Sequence, residues 1–120
     1  MSRYAFLIDS SLEEPAPLTN TLEYARKLDE AGHDVVIFFD GEATRWIPEL
    51  EAGADLLPHD VYADVRERGL VGGACGFCAS FFEVDRAIEK VEITLDGSSA
   101  EHGPDVAQLA EQGYQLLTVG

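Results

Sequence analysis

Two short, wholly apolar runs, Tyr4–Ile8 and Val35–Phe39, enclose a helical repeat and leave little choice of fold. Five apolar residues without alternation are the pattern of a strand buried on both faces of a parallel sheet. Between the runs, Leu18, Leu22, Ala25, Leu28 and Ala31 recur at steps of three and four, which makes one apolar face of an amphipathic helix. Gly32 supplies a stop for that helix, and Asp40-Gly41 closes the second run. Strand, helix and strand in this order predict a βαβ unit, with the right-handed crossover that chain chirality imposes.

The alternation continues. Glu42–Leu50 reads as a short helix interrupted near Pro48, and Ala52–Asp55 as loop. His59 or Asp60 is placed to cap a helix running to about Arg68, with Val61 and Val65 inside and Gly69 as its stop. Leu70–Ala74 reads as a third strand, unusually rich in glycine, which marks close approach of another backbone or a ligand. A helix over Ala79–Ile88, a fourth strand in Val91–Leu95 and a loop over Asp96–Ala100 follow. Pro104 suits a first helical position, Val106, Ala107, Leu109 and Ala110 give a last helix its apolar points, and Tyr114–Val119 a closing strand. The pattern predicts an α/β fold: a mostly parallel sheet of about five strands with helices on both faces.

The 120 residues suit a single domain, 1–120, large enough to fold without disulfides. With 23 acidic against 8 basic residues the net charge is −15, and no basic patch offers itself to nucleic acid. The acids are spread along the chain, so self-repulsion opposes the compact state unless salt screens it. This predicts a cytoplasm of very high salt, as in a halophile. The longest apolar runs are too short for a membrane-spanning helix or a signal-peptide core. The two cysteines, three positions apart, would close too small a loop to staple a fold, so a reducing, cytoplasmic setting is expected.

Those cysteines, in Gly72-Gly-Ala-Cys75-Gly-Phe-Cys78-Ala79, are the most chemically pointed feature. Functional sites in open α/β sheets gather beyond the carboxyl ends of the strands. That edge would collect Asp9–Ser11, Asp40–Glu42 and Cys75–Cys78, with Arg45 the one basic residue starting nearby. A thiol reacts as thiolate, and a following helix start would favour that form through free N–H groups. One sulfur could then attack while the other resolves or receives sulfur. The acidic surroundings oppose this.

Three other readings stand beside it. Both cysteines could be small buried hydrophobes. They could hold zinc, but one C-x-x-C supplies two of four ligands, and His33, His59 and His102 are scattered, so a closed site would need a second subunit. A thioredoxin-type motif belongs near the start of its domain, not after three strand–helix units. The sequence contains no G-x-G-x-x-G, Walker, H-E-x-x-H or G-x-S-x-G pattern. Trp46, Phe77, Phe81 and Phe82 read as core or interface, unless exposure around the cysteines makes them a docking surface.

At Leu70-Val-Gly-Gly-Ala-Cys75-Gly-Phe-Cys78-Ala79 the chain resembles the DsrE/DsrF-like sulfur-relay family, TusD-like members included. The likeness extends to the opening strand, the helix ending Asp29-Glu-Ala-Gly-His33, the strand Val35–Phe39 with Asp40-Gly41, and Glu67-Arg-Gly69. Phe81-Phe-Glu-Val and the Asp96–His102 loop depart from it. The resemblance implies a three-layer flavodoxin-like fold, assembly as a homo-oligomer (trimer or hexamer), and sulfur carried as a persulfide. By position it makes Cys75 the carrier, and Cys78 matches those relatives that have a second cysteine. The expected partners are protein donors and acceptors of sulfur, with no organic cofactor; the ligand count and the short apolar runs add the expectation of no metal and no membrane partner.

Overall fold

A computed structural model describes residues 1–53 and 57–120. Five parallel strands lie in the order β4-β3-β2-β1-β5: β1 (Arg3–Ile8), β2 (Asp34–Phe39), β3 (Val71–Cys75), β4 (Leu95–Asp96) and β5 (Tyr114–Val119). Helices α1 (Pro15–Glu30), α2 (Trp46–Glu51), α3 (Leu57–Glu67), α4 (Gly76–Phe81), α5 (Asp85–Lys90) and α6 (Val106–Glu111) flank the sheet, and a 3-10 turn spans Gly41–Arg45. This is the three-layer, flavodoxin-like α/β architecture that the alternation predicts, with the sheet wholly parallel.

Each layer follows from the two-residue period of the strands. Phe6, Ile8, Ile37 and Phe39 point to one side, where Leu18, Leu22 and Ala25 of α1, Ile47 and Leu50 of α2 and Val65 of α3 complete the main core. Ala5 and Phe38 point to the other side and meet Leu109 of α6, with Leu7, Val36 and Tyr114 around them. That second layer is thin: Val106 of α6 and Leu116 of β5 remain exposed. Among the described residues no helix is long and apolar enough to cross a membrane.

Four expectations change in detail. The helix drawn over Ala79–Ile88 is two, because Glu83 takes φ 58° and turns the chain between α4 and α5. The fourth strand is only Leu95–Asp96, since Val91 and Glu92 still belong to the turn that closes α5. Pro104 lies before α6, whose cap is Asp105 accepting the Gln108 N–H at 3.1 Å; His59 and Asp60 sit inside α3 instead of capping it. Gly32, Gly69 and Gly113 do end helices, each with φ between 75° and 91°. The loop drawn over Ala52–Asp55 falls partly on residues 54–56, outside the described part.

Candidate functional site

β2 and β3 end side by side, and their last residues open the site. Asp40 follows β2 and caps the 3-10 turn, its Oδ1 accepting the Gly41 N–H at 2.8 Å. Cys75 ends β3 and caps α4, its sulfur accepting the Cys78 N–H at 3.4 Å. The Cys75 side chain is fully buried, whereas Cys78, one turn on, is half-buried. The Cys78 thiol donates to Asp40 Oδ1 at 3.6 Å. Both cysteines are free thiols.

His102 joins them from far along the chain. Its Nδ1 lies 3.5 Å from the Cys75 sulfur and 3.7 Å from that of Cys78. The exposed ring is held by Phe77, with ring centres 4.1 Å apart. A tight turn brings His102 back: the Ser98 N–H donates to the Glu101 carbonyl at 2.9 Å. Beneath it three segments stack backbone on backbone. A Cβ on Gly76 would stand 3.1 Å from the Asp96 carbonyl oxygen, and one on Gly103 would stand 2.5 Å from the Asp96 carbonyl carbon. Glycine at both positions lets the start of α4, the end of β4 and the chain after His102 close up.

The glycines of β3 serve the same closeness. A side chain at Gly72 would strike Val36 and Phe38, and one at Gly73 would strike Asp96 and, at 2.9 Å, the Thr94 carbonyl. The glycine-rich strand thus answers to neighbours within the chain.

Electrostatically the pocket is acidic. Burial, then the neighbouring Cys75 sulfur, pushes the Cys78 thiol up to about 12, although the Gly41 N–H works the other way. The thiolate-promoting helix start expected from the sequence is modest, because α4 has only six residues and gives Cys75 one N–H. Arg45 does not reach the sulfurs; its guanidinium sits 5.7 Å from the centre of the Phe82 ring.

Asp96, paired across the sheet with Cys75, carries a buried Oδ2 without a hydrogen-bond partner. Burial raises its carboxyl above the ordinary range. An acid whose folded pKa is raised binds more protons folded than unfolded, so its penalty is absent in acid and grows as pH climbs through that range. Asp96→Asn is expected to stabilise the protein by about 1 kcal/mol at neutral pH, an estimate reduced for solvent access. Urea titrations should show the gain disappearing below about pH 4; a gain that persists there would show that the charge is not its source.

Of the residues the sequence singled out, Cys75, Cys78 and Asp40 therefore meet. His33 and His59 do not: His33 Nδ1 accepts the Ser2 N–H at 3.2 Å, and His59 Nε2 lies 3.1 Å from the Glu49 carbonyl. His102, which the sequence sets aside as scattered, does join the cysteines, and Gly76 and Gly103 around its loop were the available signal. A separate hollow lined by Glu51, His59, Tyr62 and Arg66 shares no residue with the cysteine cluster. Trp46 is core, its Nε1–H donating to the Ser10 and Ser11 carbonyls at 3.1 and 3.0 Å. Phe81, by contrast, is 72% exposed and meets the Phe82 ring edge-on. Set against known proteins, the chain matches no family model, no curated protein and no solved structure.

Proposed function

We propose that the protein is a sulfur-relay protein of the DsrE-like kind that carries sulfane sulfur on Cys75. The observation that carries this reading is the Cys75 sulfur itself, which accepts a backbone N–H with an imidazole nitrogen 3.5 Å away and a second thiol beside it. These partners fix the sulfur by one N–H and set a ring nitrogen and a second thiol within reach of it. The Cys75 thiolate attacks the outer sulfur of a donor persulfide, the donor's S–S bond breaks, and the donor leaves as a thiolate. No net oxidation occurs. An acceptor thiolate then takes the outer sulfur in the same way, or Cys78 attacks the inner sulfur and expels hydrosulfide. In the second case the Cys78 proton leaves on the expelled sulfur as hydrosulfide, and the Cys75–Cys78 disulfide then needs two electrons from a dithiol reductant. Because Cys75 is buried, loading requires the His102 loop or the Cys78 side chain to move aside.

Intact-mass spectrometry after incubation with a persulfide donor should show one added sulfur atom on the wild type and none on Cys75→Ser. Failure of the wild type to gain sulfur in the absence of reductant would refute the assignment. Phe81, exposed next to the cysteines, supports docking of a protein donor. Phe81→Ala should leave stability within about 0.5 kcal/mol and leave loading from inorganic polysulfide unchanged, while loading from a protein persulfide slows about tenfold or more. Equal slowing with both donors would place the effect in the site and not in docking. The thin second layer, with Leu116 and Val106 exposed, supports assembly with further copies of the chain.

A further inference from the structure

The same four side chains carry a second capacity that does not depend on sulfur transfer. Asp40, Cys75, Cys78 and His102 each offer one donor atom, and these four atoms lie within 4.8 Å of one another. The sequence counted two metal ligands and looked to another subunit for the rest; the fold supplies four from one chain. We propose that they form a tetrahedral site for a thiophilic divalent transition-metal ion, with zinc the best match.

Geometry is the first support. Zinc binds thiolate at about 2.3 Å and imidazole or carboxylate at about 2.0 Å, so ligand atoms on a tetrahedral edge stand about 3.5 Å apart. Three edges already have this length: Cys75 to His102 at 3.5 Å, Cys78 to Asp40 at 3.6 Å and Cys78 to His102 at 3.7 Å. In the reduced, metal-free chain these contacts are thiol hydrogen bonds, which hold the donor atoms close to metal-ligand spacing before an ion enters.

The donor set is the second. Two sulfurs and one nitrogen select a borderline-soft ion, against magnesium or calcium, which take oxygen cages. The surroundings also orient the ligands. The Cys78 N–H points at the Cys75 sulfur, the Gly41 N–H fixes the Asp40 carboxylate, and Phe77 holds the His102 ring. The chain's net charge of −15 draws cations toward such a cleft. Binding replaces the two thiol protons, which pass to solvent, and oxidises nothing. In the loaded form both sulfurs are committed to the metal.

Cobalt(II) added to the reduced, metal-free full chain tests this directly. One equivalent should develop visible bands of tetrahedral intensity together with a thiolate-to-cobalt charge-transfer band, and zinc should displace it. His102→Ala, at an exposed side chain whose loss circular dichroism will show to leave the fold intact, should weaken zinc at least about tenfold against a competing chelator. Asp40→Asn keeps an oxygen to cap Gly41 and should weaken it likewise. A weak octahedral cobalt spectrum in the wild type, or wild-type affinity in His102→Ala, would overturn the site. Sulfur loading is read on metal-free protein, so either capacity can fail while the other stands.

Discussion

Gly103→Ala is expected to open the cysteine site. The added methyl would stand 2.5 Å from both the Asp96 carbonyl carbon and its Cβ, and 2.6 Å from the Asp96 carbonyl oxygen. The atoms in the way are mostly backbone, fixed by the pairing of Asp96 with Cys75, so no rotamer change relieves the clash. Either the sheet edge shifts or the chain from His102 to Asp105 lifts. The second costs less, because that segment is joined to the rest by few hydrogen bonds and its His102 ring is exposed. Lifting it removes the imidazole from both sulfurs. Global stability should fall by about 1–3 kcal/mol, and alkylation of Cys75 should accelerate about tenfold or more, the factor that 1.4 kcal/mol of opening represents. Peptide mapping after timed alkylation gives the rate at each cysteine. An unchanged Cys75 rate would mean that the His102 loop does not cover it.

The βαβ opening was legible because its signals are local and redundant. Tyr4–Ile8 and Val35–Phe39 are apolar throughout, as residues buried on both faces must be, and Gly32 marks the end of α1 with a φ of 91°. The third strand and its cysteines were legible for the same reason. What escaped depended on contacts between distant segments. Nothing near Glu83 announces that its backbone turns to φ 58° and divides one helix into two. β4 keeps only two residues as strand, because its role is to pair with Ala74 and Cys75 and then turn under Gly103.

The site divides along the same line. The carboxyl-edge rule brought Asp40 to Cys75 and Cys78, since strand ends are placed by topology alone. His102 could not be placed that way. It reaches the sulfurs through a turn closed by Ser98 and Glu101 and a stack of glycine-lined backbones, and a sequence pattern encodes the glycines but not what they press against. The count of possible metal ligands stopped at the two cysteines because neither Asp40 nor His102 was set beside them as a donor.

Salt should raise the stability of this protein more than any single substitution at its surface. The described ion pairs gather acids around four arginines: Arg3 with Asp34, Arg26 with Glu23 and Glu30, Arg66 with Glu51, and Arg68 with Asp29, Glu30 and Asp64. Such exposed pairs contribute little each, and 23 acids against 8 bases leave most carboxylates uncompensated. With a radius of gyration of 13.2 Å the fold approximates a sphere of about 17 Å radius carrying that net charge, while the unfolded chain spreads it over a coil whose radius of gyration is about 35 Å. Raising salt from about 0.1 M to about 1 M shortens the screening length from about 10 Å to about 3 Å. The compact state gains more than the expanded one, by roughly 4 kcal/mol, which for a chain of this size moves the thermal midpoint up by about 15 °C. Calorimetry across a potassium chloride series measures this, and replacing chloride by a denaturing anion at equal ionic strength separates screening from salting-out, because screening depends on ionic strength alone. A flat midpoint would mean that the acids are already compensated in the fold. A rise that tracks ionic strength would explain how a chain with so few cations holds Asp40, two thiols and a desolvated Asp96 carboxylate together at one sheet edge.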